Sequence, residues 1–246
     1  MDELTGERTD QSTDEPTGQA IRRHTGQRQH VGLRRVLADL EAFGSAVLGM
    51  PLRPYQAEVA RAVLASIAEG CGHSLTVLMP RQSGKNQLSA HLEAYLLTRR
   101  QRTGGSLVKC APTYQPQVLV SISRLLRALD NPLTAGRWRR RDGHIVELGR
   151  ASIAFYSAEP GANVVGATAS LLLECDEAQD VLPDKWEKDF RPMGATTNVT
   201  SVLYGTPCPV PYLYFGQHSD VGDISRMVLI GLGSVDLCIV DSRAWR

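Results

Sequence analysis

An apolar run ending at Met79 leads into Pro80-Arg81-Gln82-Ser83-Gly84-Lys85-Asn86, and a stretch with helical periodicity follows. Small residues in such a loop let backbone N–H groups close around phosphate oxygens, a lysine neutralises them, and the following helix aims its N-terminus at the anion. Gly84 and Lys85 meet those needs, and Arg81, Gln82, Ser83 and Asn86 complete a candidate phosphate loop. Met79 stands where a first glycine is usual, and Asn86 where a hydroxyl usually meets the metal. By itself Gly-Lys also fits a surface lysine on a turn. Further along, Leu171-Leu172-Leu173-Glu174-Cys175-Asp176-Glu177 puts adjacent carboxylates at the end of an apolar run. Acids near a core are costly. The pair suits phosphoryl transfer, with Asp176 holding Mg²⁺ through its water shell and Glu177 polarising the attacking water. The plainer alternative is an acidic turn capping a helix from about Ala178. Glu174 either faces a polar pocket or marks an imperfectly buried strand.

Two further segments fit the same chemistry. In Leu52-Arg53-Pro54-Tyr55-Gln56, the Gln56 amide can donate to and accept from an adenine edge while Tyr55 packs on the base, although Pro-Tyr-Gln also suits an ordinary helix start. In Leu203-Tyr204-Gly205-Thr206-Pro207, the Thr206 hydroxyl can sense a γ-phosphate, although Thr-Pro is common in loops. The order of these segments matters more than any one of them: it is the linear order of an ATP-driven nucleic-acid motor.

The elements that must carry these residues follow from periodicity. Leu33, Val36, Leu37, Leu40 and Phe43 recur at helical spacing, with Gly44 as a stop, and a second helix is expected over 54–68. Short apolar runs then alternate with helical stretches. Strands are expected over 75–79, 106–111, 171–175 and 201–205, and helices over 88–97 and 117–129. Runs 145–148 and 151–156 flank Gly149-Arg150, a hairpin turn pair. The alternation predicts an α/β fold with three layers, a mainly parallel central sheet and an inserted β-hairpin. Runs 227–230 and 235–240 read as strands whose partners are not evident. Residues 1–32 are polar enough to be expected as a disordered arm, 33–222 as the folded domain, and 223–246 as a tail.

With 246 residues the chain has room for one such domain. Lys plus Arg (27) balance Asp plus Glu (26), so contact with a polyanion must come from local patches such as Arg137–Arg141. The scattered Cys71, Cys110, Cys175, Cys208 and Cys238 lack zinc-site or disulfide-scaffold spacing and are expected as reduced thiols in a cytoplasm. No run approaches the roughly 18 apolar residues of a membrane span.

On these residues the chain resembles the ATPase half of a bacteriophage terminase large subunit. Arg81-Gln82-Ser83-Gly84-Lys85-Asn86 is similar to that family's Arg-Gln-x-Gly-Lys-Asn form of Walker A, so the departures noted above are expected ones. Ala111-Pro112-Thr113 with Gln115 and Gln117, Gly161-Ala162, Gly166 and Asp176-Glu177-Ala178-Gln179 (Walker B) also match, and Gly205-Thr206-Pro207 resembles the coupling motif. The resemblance spans about Leu52 to Pro209. It implies a RecA-like P-loop ATPase using ATP and Mg²⁺. Tyr55, Gln56 and residues 81–86 would hold nucleotide, Lys85 would bind phosphates and Asp176 the metal, with Asn86 as a lesser contact. Glu177 would act on the catalytic water, Arg81 on the transition state, and Thr206 in coupling. It further implies double-stranded DNA gripped by its backbone, a ring of subunits, a phage portal and a terminase small subunit as partners, with Arg137, Arg139, Arg140 and Arg141 as phosphate contacts, although the plainer reading of that run is a solvated basic loop. The family's nuclease domain has no counterpart here, because Asp236 and Asp241 lack further acids. A truncated prophage copy without DNA cleavage is therefore expected. Tyr55-Gln56, the loop and Asp-Glu-Ala-Gln also occur in that order in superfamily 2 helicases, and a remnant without turnover is the third reading.

Overall fold

Alternation in the sequence becomes alternation in space. In this computed structural model the described residues are 32–164 and 166–206, together with the backbone strands 226–232 and 235–241. The polar arm lies outside them but for residue 32.

Helix α1 covers 32–38 and α2 Leu40–Ala46. The single helix expected there is broken at Asp39, whose carboxylate accepts from the Glu41 and Ala42 N–H groups at 3.2 and 3.1 Å and so starts a second helix. Gly44 does not stop that helix. A Cβ at position 44 would lie 3.2 Å from the Met50 carbonyl and 3.3 Å from the His91 ring, so glycine there permits close packing within the helix. Helix α3 (Pro54–Glu69) starts with proline in its first turn and ends at Gly70. Strand β1 (Ser74–Leu78), helix α4 (Lys85–Arg100), strand β2 (Gly105–Ala111) and helix α5 (Leu119–Leu129) follow. The last starts later than expected, after a wide turn over Tyr114–Val118.

Strands β3 (Trp138–Arg141), β4 (Ile145–Leu148) and β5 (Ala151–Ser157) form an antiparallel meander, and β6 (Leu172–Cys175) and β7 (Thr200–Gly205) return to the parallel part. The hairpin expected at Gly149-Arg150 joins β4 to β5. The basic run expected as a loop is edge strand β3, where Arg139 and Arg141 reach Glu147 across the ladder at 2.7 and 3.4 Å. Strands β8 (Arg226–Leu232) and β9 (Val235–Asp241) pair with each other, and β9 lies antiparallel to β1. The nine-stranded order is β3-β4-β5-β2-β6-β7-β1-β9-β8, parallel from β5 through β1.

Because successive strand residues face opposite ways, each strand feeds two cores. Leu107 and Leu172 join Val59, Leu88, Leu92, Tyr95 and Leu125 on the face covered by the long helices. Val108, Leu173 and Cys175 face the other way, onto Trp186, Phe190 and Met193 of the helical turns between Ala178 and Gly194. Fully burying one such leucine contributes roughly 1.5–3 kcal/mol. The result is a sheet between two helical layers, with the carboxyl ends of β1, β6 and β7 side by side.

Candidate nucleotide site

The loop after β1 is shaped by its own short bonds. Ser83 donates its hydroxyl to the Pro80 carbonyl at 2.6 Å, which closes the turn. Gly84 takes φ +88, and a Cβ there would sit 2.5 Å from Gln56 Nε2, so only glycine fits without displacing that amide. Lys85 opens α4, with its side chain only 6% exposed. Residues of α3 hold the loop from outside: Tyr55 donates its hydroxyl to the Ser83 carbonyl at 2.8 Å, and Gln56 donates to the Ser83 and Gly84 carbonyls at 3.3 and 3.1 Å. The Gln56 carbonyl oxygen accepts the Arg53 N–H at 2.9 Å.

Across from the lysine, β6 delivers the acids. The Asp176 N–H continues the ladder to the Cys110 carbonyl at 2.8 Å, and the residue is 5% exposed. The backbone then turns at Glu177, at φ +46. That turn carries the Glu177 carboxylate to Lys85, whose Nζ lies 3.1 and 3.2 Å from its two oxygens. Gln179 donates to Glu177 Oε2 at 2.7 Å. Thr206, just past β7, donates to the same oxygen at 3.1 Å and also touches the Lys85 ammonium. The Gln179 side chain in turn accepts the Thr206 N–H at 3.2 Å. Burial tends to raise the Glu177 carboxyl, but Gln179, Lys85 and Thr206 together hold it below its ordinary value. Burial holds Asp176 above its ordinary value, with Lys109 and Lys85 pulling the other way and Glu177 adding to the rise. Two neighbouring carboxylates thus have opposite shifts.

No family model and no curated protein matches the sequence. Solved structures do match. The ATPase domain of the Thermus phage P74-26 large terminase superposes with a TM-score of 0.52 at 18% identity, over 69% of this chain and 70% of that one. The large terminase of bacteriophage HK97 gives 0.50 at 18%, over 70% of this chain and 37% of that one. A large terminase from a thermophilic bacteriophage gives 0.52 at 12%, over 69% of this chain and 42% of that one. The fold is that of a phage large-terminase ATPase domain. The chain spans less than half the length of the latter two terminases.

Within this terminase ATPase fold, Lys85, Asp176, Glu177 and Thr206 come together from α4, β6 and β7. The Gln56 amide does not stand free for an adenine edge, since it is spent on the loop carbonyls and on the Arg53 N–H, and the Tyr55 hydroxyl is held by the Ser83 carbonyl, so both residues support the loop. Arg81 and Gln82 lie exposed on the loop, Arg81 without an ion pair among the described residues. Asn86 is half-buried in the first turn of α4. Sequence reasoning passed over Gln179 as a site residue, although it completes the Glu177 network, and it passed over Lys109 and Glu93. The available signal was a charge inside an apolar strand and another inside an apolar helix. Among the described residues, no helix is long and apolar enough to cross a membrane, and no group of three or more His, Cys, Asp or Glu side chains could hold a metal ion. A single strand-end carboxylate facing a phosphate loop is the donor set expected for Mg²⁺ that arrives with nucleotide.

Proposed function

We propose that this chain hydrolyses ATP as the motor domain of a phage DNA-packaging terminase. The observation that carries the reading is the convergence of Lys85, Glu177 and Thr206, remote in sequence, within hydrogen-bonding distance of one another beside Asp176. A buried lysine at a helix N-terminus attracts the β- and γ-phosphates. Asp176 would hold Mg²⁺ through water, with Asn86 as a lesser contact. Mg²⁺ bound with the nucleotide supplies charge stabilisation at the phosphate oxygens.

The chain's own groups then act in sequence. A γ-phosphate entering the loop competes for the Lys85 ammonium, which frees Glu177 from its ion pair. Glu177, ionised at neutral pH, accepts a hydrogen bond from a water and orients it for in-line attack. Gln179 keeps that carboxylate aimed. Thr206 bonds both Lys85 and Glu177, so any change in their pairing is felt at the end of β7; this makes it the coupling residue. Arg81, exposed on the loop, is free to approach the transferring phosphoryl group in its own subunit or a neighbour's. Arg81→Ala is expected to lower kcat by roughly 10³-fold with KM intact. By analogy with packaging motors, the partners are double-stranded DNA held by its backbone, other copies in a ring, a portal and a small subunit.

Glu177→Gln tests the reading. It should leave ATP bound while lowering turnover by about 10²–10⁴-fold. Turnover equal to the parent's would remove Glu177 from the mechanism. Stimulation of the parent by double-stranded DNA without strand separation supports a packaging motor, and unwinding points instead to a helicase.

A further inference from the structure

Directly beneath the nucleotide site lies a second polar layer that the mechanism above does not use. Lys85, Ser89 and Glu93 are spaced by four along α4 and so share one face of the helix. Glu174 lies two positions behind Asp176 on β6, and Tyr204 two behind Thr206 on β7, so each points the same way as its partner in the site. Lys109 of β2 is in register with Glu174. These side chains meet: Lys109 Nζ donates to Ser89 Oγ at 2.7 Å and to Glu93 Oε1 at 3.0 Å. Ser89 Oγ lies 2.9 Å from Glu174 Oε1 and 3.1 Å from Glu93 Oε1. Glu93 and Glu174 are wholly buried and Lys109 is 3% exposed.

Such a layer is a poor way to add stability. Desolvating charges costs about as much as pairing them returns, and a well-packed apolar replacement is often equally stable or more so. Pairing is also imperfect: Glu93 Oε2, Glu174 Oε2 and the Tyr204 hydroxyl find no partner of good hydrogen-bond geometry among the described residues, although Tyr204 and Glu93 both lie close enough to Glu174 to interact with it. Directional bonds do, however, fix one arrangement where apolar contacts would allow several. The elements tied here are the helix that begins with Lys85 and the strand that leads into Asp176.

We infer that Lys109, Ser89, Glu93 and Glu174 form a buried polar rung, built on the Lys109–Glu93 ion pair, that sets the position of Lys85 relative to Asp176 and Glu177, making them positioning residues for hydrolysis. The inference rests on the ATPase reading above. The rung acts one helical turn and one strand repeat behind the reacting groups, touching no substrate. Loss of its geometry would leave the phosphate loop able to bind but misaligned with the acids, and misplacement by about 1 Å can cost on the order of 10²-fold in rate.

The test replaces the rung's three ionisable side chains together. The Glu93→Met, Lys109→Met, Glu174→Met chain is expected to melt at or above the parent temperature. Its kcat should fall about tenfold or more while its KM for ATP stays within about threefold, the mark of an interaction made in the transition state. Hydrogen exchange at residues 83–88 and 175–178 should quicken. Ser89→Ala, which removes the hydroxyl joining helix to strand and suits a helix, is expected to lower kcat in the same way with only a modest fall in melting temperature, so the idea does not depend on the triple variant folding. Parent-like kcat and parent-like exchange in either folded variant would overturn the rung. If the parent itself hydrolyses no ATP, the ATPase reading fails, and the exchange comparison still decides whether the rung positions the loop.

Discussion

Asp176 and Glu177 are neighbours in the chain, yet burial and partners drive their acidities apart. A folded-state pKa above the unfolded value means that Asp176 costs stability progressively as the pH rises above the ordinary carboxylate range, and the cost is complete once the pH exceeds the folded value. Asp176→Asn should therefore raise the melting temperature of nucleotide-free protein at neutral pH while abolishing Mg²⁺-dependent turnover. The gain should shrink as pH falls through the folded pKa of Asp176 and vanish below the ordinary carboxylate range. Glu177 has the opposite sign: its stabilisation is present above the ordinary carboxylate range and is lost as pH falls through its depressed folded value. Melting curves at stepped pH check both, and an Asn variant that melts below the parent at neutral pH contradicts the first. Gly84→Ala meets two obstacles, the left-handed backbone and the Gln56 amide 2.5 Å from the added carbon. The backbone alone costs about 1–2 kcal/mol, and weaker ATP binding should follow. Lys85, Asp176, Glu177 and Thr206 were legible because each sits in a local pattern with its own chemistry. The rung was legible only in part: Glu174 could be read as facing a polar pocket, whereas Lys109 and Glu93 were passed over, and only register and helix packing make the three a group.

Helix α3 meets the site through Tyr55 and Gln56, whose polar atoms grip the loop carbonyls. Gln56→Ala should loosen the loop and raise the KM for ATP, by about tenfold if roughly 1.4 kcal/mol of loop order is lost; an unchanged KM would show that the loop holds itself. Asp39→Ala should cost about 1 kcal/mol in thermal or denaturant unfolding, the usual worth of a helix cap, and leave turnover alone. Most strands and helices could be read from periodicity to within a few residues, since runs such as Leu75–Met79 and Leu171–Cys175 admit little else. Two misreadings have physical causes. The break at Asp39 is made by a side-chain cap inside an uninterrupted apolar stripe, which periodicity does not register. Strand β3 is a basic edge strand, and Arg139 and Arg141 look like a solvated loop until Glu147 is found opposite them.

For the molecule as a whole, a net charge of +1 leaves no field that would draw in DNA. Two arginines of the basic run are partly neutralised by Glu147, so any DNA contact from that edge should be weak, with a shallow salt dependence set by the few phosphates it can neutralise. The sheet serves mainly as a frame: its parallel centre brings the ends of β1, β6 and β7 to one edge, where the phosphate loop and the acids face each other. The most direct measurement of that arrangement's purpose is steady-state ATP hydrolysis by the purified chain and by Lys85→Ala at matched Mg²⁺. Turnover in the parent that falls on the order of 10²-fold or more in the variant is expected, as for loss of one preorganised charge at a phosphoryl-transfer site. Parent turnover left unchanged by Lys85→Ala would contradict the account.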